Sequence, residues 1–243
     1  MNNNRAFTLV ELVITIVLIG IVAGLGVGLA LNVFRGYADS RNKNFLYWEA
    51  KFTIERIDRE IREALPNSIQ VIDNHILKFV KINNGFFYEP YNENSINVFF
   101  HNLNNYISTN NKISIYNLNY NQIFSGKRAY KISNIQKINS DNWTITLDKN
   151  INKNSPYNRF FTIATPVAYF LEDNKLYRCF NFPLTGNYRD GICNVLTDYI
   201  SNITFSFEPG TSKRNGLVKI SLTLTKNDFS FTYNYEVNIR NVP

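Results

Sequence analysis

The sequence predicts an α+β protein: one long N-terminal helix, with a transmembrane half and an amphipathic half, packed on a head of mainly antiparallel β-sheet. Three observations predict it. The run from Leu12 to Phe34 carries no charge. Apolar residues then recur at steps of three and four as far as Leu65, the period of a one-faced helix. From Ile69 onward, short runs rich in β-branched and aromatic residues alternate with polar turns, the pattern of strands. A chain of 243 residues is long enough for one anchor segment and one domain with its own core.

The uncharged run holds 23 residues, about 35 Å as a helix, which spans a hydrocarbon core of roughly 30 Å. A conventional cleaved signal fits poorly, because its apolar part is about 7–15 residues and a small-residue cleavage site follows it. Here the chain passes instead into RGYADSRNKN and a second helical pattern. Glu11 lies at the edge of the run. An acid deep in a membrane helix costs about 2.5–3.5 kcal/mol and by default needs a partner; at the headgroup boundary it is merely solvated. Gly20, Gly24 and Gly28 are spaced by four and share a helix face suited to close packing against another membrane helix. The flanking charges give little orientation: Arg5 precedes the run, while Arg35, Arg41 and Lys43 follow it, offset by Asp39.

In RNKNFLYWEAKFTIERIDREIREAL, Leu46, Ala50, Ile54, Ile57, Ile61 and Leu65 form one apolar stripe. Glu55–Arg59 and Asp58–Arg62 are acid-to-base pairs at i, i+4, and Pro66 closes the helix. Among the β-type runs that follow, RFFTIATP and VAYFLE read as two strands. LEDNKLYR reads as a hairpin with Asp173-Asn174 at its turn. LTLTKNDFSFTYNYEV reads as a final antiparallel pair. Between Asn83 and Asn121, NNGFFYEPYNENS and HNLNNYISTNNK read as surface loops.

FTLVELVITIVLIG, preceded by the short polar leader NNNRA, resembles the N-terminal signal of type IV pilins and type II secretion pseudopilins. The resemblance implies that a prepilin peptidase cuts between Ala6 and Phe7 and methylates the new amine of Phe7. Gly is usual before the cut; Ala6 stands there in this chain. It also implies a role for Glu11 in subunit assembly, as the partner of the Phe7 amine of a neighbouring subunit. KFTIERIDREIREALPNSIQV and SPYNRFFTIATPVAYFLEDNKLYRC are similar to minor pilin-like proteins of mannose-sensitive haemagglutinin (MSHA) pilus systems. They are less similar to the J-type minor pseudopilins of type II secretion.

These resemblances imply a leader at residues 1–6, a transmembrane and filament-core helix at 7–34, its amphipathic continuation at 35–66 and a β-rich periplasmic head at 67–243. The implied protein is a single-pass bacterial inner-membrane protein that enters an extracellular filament. Its implied partners are the prepilin peptidase/methyltransferase, other major and minor pilins, the inner-membrane assembly platform and membrane lipid. The expected function is that of a non-enzymatic minor pilin in filament initiation or at the tip. The alternatives are a J-type pseudopilin and a tip adhesin or DNA-binding subunit.

Other chemistry is sparse. The net charge is +7, but basic residues are interleaved with acids except at Lys127-Arg128 and Lys213-Arg214. A solvated surface is therefore expected, with no nucleic-acid partner. The two cysteines, Cys179 and Cys193, form one disulfide if the head lies outside the cytoplasm and remain thiols otherwise; the implied periplasmic head favours the disulfide. Asp190, between them, has the chemistry of a Ca²⁺ ligand, but the role expected of it is that of a simple turn residue. His75 and His101 are far apart, so no metal site is expected, and SGKR at Ser125–Arg128 lacks the spacing of a phosphate loop. No catalytic residue and no cofactor are expected.

Overall fold

The computed structural model describes residues 8–210, 214–227 and 229–239. Its first element, α1 (Leu9–Arg62), is one helix of 54 residues, about 81 Å long at the α-helical rise. From Leu9 to Arg41 every residue is exposed, so this arm projects free of the head. From Leu46 onward one face is buried, carrying Leu46, Ala50, Ile54, Ile57 and Ile61. The stripe read from the sequence is therefore the face that meets the sheets.

The helix stops at Arg62, short of the predicted Leu65. Ala64 then makes an isolated antiparallel bridge to Lys81. The Leu65 N–H donates to the Val80 carbonyl at 2.7 Å, and the Ile82 N–H donates to the Glu63 carbonyl at 2.9 Å. Pro66 disfavours helical backbone at Leu65, and pairing with a strand satisfies the groups that the helix releases. Asp58–Arg62 forms as predicted at 2.9 Å. Glu55 instead faces Lys51, the residue on its other side.

The head holds strands β1 (Gln70–Ile72), β2 (Ile76–Phe87), β3 (Glu89–Asn92), β4 (Ser95–Phe99) and β5 (Lys112–Ile115). A short helix α2 (Tyr120–Phe124) follows, then β6 (Ala129–Lys137), β7 (Asn142–Leu147), β8 (Arg159–Glu172), β9 (Lys175–Phe180) and β10 (Ile192–Thr197). The chain ends in β11 (Ile200–Glu208), β12 (Gly216–Lys226) and β13 (Phe229–Ile239). Ten strands form one sheet in the order β1-β2-β8-β5-β6-β7-β4-β3, with β9 on β8 and β10 on β9. The last three form a second sheet, β11-β12-β13. All of these neighbouring strands pair antiparallel.

Several expectations are corrected. Asn83–Ser95 is not a surface loop: its first residues complete β2, and β3 lies within it. The Asn84 N–H donates to the Thr162 hydroxyl at 2.9 Å, and that hydroxyl donates to the Asn84 carbonyl at 3.3 Å. A side chain on β8 thus completes the ladder where its register slips. Pro90 is tolerated because β3 is an edge strand. RFFTIATP and VAYFLE are one strand, β8. Pro166 falls where the neighbour of β8 changes: residues to Ile163 pair with β5 and residues from Val167 pair with β9. The N–H that proline lacks breaks no ladder on that side.

The Asp173-Asn174 turn is as predicted, with φ of 49° and 57° and Glu172 opposite Lys175. The final antiparallel pair is β12 and β13, in unbroken register from Gly216↔Ile239 to Lys226↔Phe229.

The head has two principal cores. The first joins α1 to β2, β8, β9 and all three strands of the second sheet, with Phe79, Tyr169 and Phe205 among its fully buried side chains. The second lies among β2 to β8 and contains no residue of α1. It is tied to the end of the helix region through Asn117, whose amide donates to the Pro66 carbonyl at 3.0 Å. Asn67 returns a bond to the Asn117 carbonyl at 3.1 Å.

Candidate functional site

The candidate site is α1 itself: the bare arm and the seat that fixes it to the head. Ala6 and Phe7, the predicted cleavage and methylation residues, lie outside the described residues. The arm begins at Thr8, which caps the helix by accepting the Glu11 N–H on its hydroxyl at 3.3 Å. Thr8 and Glu11 stand in the relation of N-cap and third helical residue, the T-x-x-E spacing of a capping box. Glu11 also meets the positive end of the helix dipole. The chain therefore supplies a local reason for an acid at this position, and the spacing was visible in the sequence. The Glu11 side chain itself is exposed.

From Leu12 to Phe34, α1 presents uncharged surface that is apolar except at Thr15 and Asn32, with Leu18, Ile19 and Leu25 each more than half exposed. Gly20, Gly24 and Gly28 have nothing within 4 Å of the place a Cβ would occupy. The stripe of glycines is open to whatever packs against the arm. Exposing this much apolar surface to water is unfavourable, and the helix is long and apolar enough to cross a membrane.

The seat is held by a polar clamp that sequence reading did not find. Glu60 projects from the buried face of α1. The Arg178 guanidinium donates to its carboxylate from Nε at 3.0 and 3.1 Å and from a terminal nitrogen at 2.9 Å. The Tyr169 hydroxyl donates to the other oxygen at 2.6 Å, and Arg56 approaches from within the helix at 3.2 Å. The Glu60 side chain is 5% exposed. Burial by itself would raise its pKa, but hydrogen bonds from Arg178 and Tyr169, with the Arg178 charge, outweigh burial and hold it below the ordinary carboxylate value. Burial and the Glu60 charge together push the Tyr169 hydroxyl up, so it stays a donor. The clamp fixes α1 to β8 and β9. A signal for it existed, since Glu60 follows Ile57 by three and so falls on the buried stripe.

Further along the helix, Thr197 of β10 donates its hydroxyl to Glu49. Nearer the arm the seat is aromatic: Phe45 meets Tyr199 edge-on at 5.6 Å, and Tyr47 meets Phe231 edge-on at 6.0 Å. Lys226 sits 3.9 Å over the Phe45 ring and Lys43 sits 5.1 Å over Phe229, in cation–π geometry.

Cys179 and Cys193 face each other across β9 and β10 and form a disulfide. Asp190 serves the turn: its carboxylate accepts the Asn187 N–H at 3.1 Å and completes a capping box. His75 donates from Nδ1 to the Ile203 carbonyl, 2.9 Å away. His101 pairs with Asp141. Among the described residues no group of His, Cys, Asp or Glu is arranged to hold a metal.

Residues 1–27 match the family model of the prokaryotic N-terminal methylation motif. This is the prepilin-type motif, and with the single N-terminal apolar helix it fits a membrane-anchored pilin or pseudopilin subunit, the class that prepilin peptidase processes. No curated protein and no solved structure matches the chain.

Proposed function

We propose that the protein is a minor pilin of a type IV, MSHA-like filament, of the MshO type. In this reading it sits in the bacterial inner membrane with its head in the periplasm, is cut between Ala6 and Phe7, is methylated on Phe7, and acts in filament initiation or at the tip as a structural subunit. The observation that carries the proposal is the bare arm: an exposed apolar helix with Glu11 at its start, behind a methylation motif. Once the arm enters a bilayer or a filament core, Glu11 and the new Phe7 ammonium of a neighbouring subunit are each costly to bury alone and strongly attracted as a pair. Their pairing sets the axial register of one subunit on the next. Gly20, Gly24 and Gly28 let helices approach closely in that core.

The second core, which extends the head beyond the helix it sits on, supports a position where no subunit has to pack above it. Glu11→Leu tests the register. The variant is expected to insert in the membrane at the wild-type level and to be lost from sheared filaments; equal recovery in filaments contradicts the proposal. The same arm serves a J-type pseudopilin, and the neighbouring genes, for pilus biogenesis or for secretion, separate the two.

A further inference from the structure

The charged groups of the head are unevenly satisfied. Around the first core, Arg56, Arg62, Lys81, Arg178, Arg189 and Lys219 each lie within 4 Å of a carboxylate. Residues 83–163, which build most of the second core, hold eight Lys and Arg against four Asp and Glu. None of those eight makes a carboxylate pair among the described residues. Four of them, Lys127, Arg128, Lys149 and Lys153, are gathered where the turn after α2 meets the segment after β7.

The hydrogen bonds define the gathering. Lys149 Nζ donates to the Gly126 carbonyl at 2.5 Å, and Asn152 Nδ2 donates to the Lys127 carbonyl at 3.5 Å. Arg128 Nη1 donates to the Lys153 carbonyl at 3.1 Å. Lys149 and Lys153 also lie over the rings of Tyr130 and Tyr116 at 5.1 and 5.3 Å. Two acids that meet the segment after β7 bond to other groups: Asp148 accepts the Lys131 N–H at 2.9 Å, and Glu93 accepts from Asn150 at 2.7 Å.

Arg128 is the unusual member. It is 5% exposed, and a guanidinium brings five donors. One of these has a partner among the described residues, and the buried Nε has none. A buried cation without a counter-charge is unfavourable, and so is a buried donor without an acceptor. A tetrahedral oxyanion supplies both, a negative charge and several acceptors, and planar guanidinium matches its geometry.

We propose that Arg128, with Lys127, Lys149 and Lys153 around it, forms a binding site for a phosphate or sulfate group. Arg128 is the fixed donor. Lys127 and Lys153, both exposed, supply the rim that draws the anion in. The site borders the second core through Tyr130 and Tyr116, apart from the arm and its seat, and does not depend on how the arm is used.

The test is calorimetric titration of the full detergent-solubilised chain with sodium phosphate and with sodium sulfate, at constant ionic strength set by chloride. The wild type is expected to bind one equivalent saturably. Lys127→Glu with Lys153→Glu leaves Arg128 and both cores intact and is expected to weaken binding by about tenfold or more. Arg128→Lys keeps the charge, loses the fork and is expected to weaken it as well. Tighter binding of phosphate than sulfate assigns a phosphate-bearing ligand; the reverse assigns a sulfated one. Heat that does not saturate, or equal affinity in the charge-reversed variant, overturns the site.

Discussion

The two halves of α1 are the same secondary structure in two different solvents. Leu12 to Phe34 carries no charge, is mostly apolar on every side and is exposed throughout; Leu46 to Ile61 is apolar on one face, and that face is buried. A helix hydrophobic on every side must be buried in something, and here that something is not the rest of the chain. The contrast separates a helix half that the head covers from one that the head leaves exposed.

Paired truncations sharpen the contrast most. Ile57→Ala removes a fully buried side chain and is expected to destabilise the head by about 3 kcal/mol. Ile16→Ala, which removes a 61% exposed one, is expected to leave the head's unfolding midpoint unchanged. Both are read by denaturant unfolding of the detergent-solubilised chain, followed by tryptophan fluorescence.

Arg178→Ala comes next. It strands the buried Glu60 carboxylate with only Arg56 and Tyr169 and is expected to cost about 3 kcal/mol. The same clamp sets a pH dependence. The folded-state pKa of Glu60 lies below its ordinary value of 4.5. Its contribution is therefore present above that value and is lost as pH falls through the lower, folded-state one. Glu60→Gln should flatten this part of the acid limb in a pH series of unfolding midpoints. An unchanged slope would remove Glu60 as the responsible group.

Opening the disulfide by replacing Cys179 and Cys193 together with Ala is expected to lower stability by about 2–3 kcal/mol, since the bond closes a short loop. The measurement is the shift in denaturant midpoint against the oxidised wild type. The smallest effect is at the surface: Arg62→Ala breaks the Asp58 pair and should change stability by only a few tenths of a kcal/mol.

What could be read in advance follows the range of the interaction. The stripe Leu46–Ile61 and the Asp173-Asn174 turn are set by neighbours a few residues away, and both were legible. The strand at Asn83–Phe87 was not, because a hydroxyl on Thr162, distant in sequence, completes its ladder and overrides the poor strand propensity of paired asparagines. β10 was missed because it is an edge strand, half exposed on both faces, with no clean alternation to reveal it. Glu60 was hidden among charged neighbours, and its partner Arg178 is 118 residues away. At the arm, the capping spacing of Thr8 and Glu11 was there to be read. The uncompensated Arg128 was visible only as one half of a basic dipeptide, since burial is a property of the fold.

In the proposed function the bare half of α1 is an anchor and assembly surface left by cleavage between Ala6 and Phe7. Mass spectrometry of the N-terminus of the membrane-extracted protein tests it most directly. The expected result is a mature chain that begins at Phe7 with a methylated amine. An intact chain beginning at Met1, recovered from cells with an active prepilin peptidase, would contradict it.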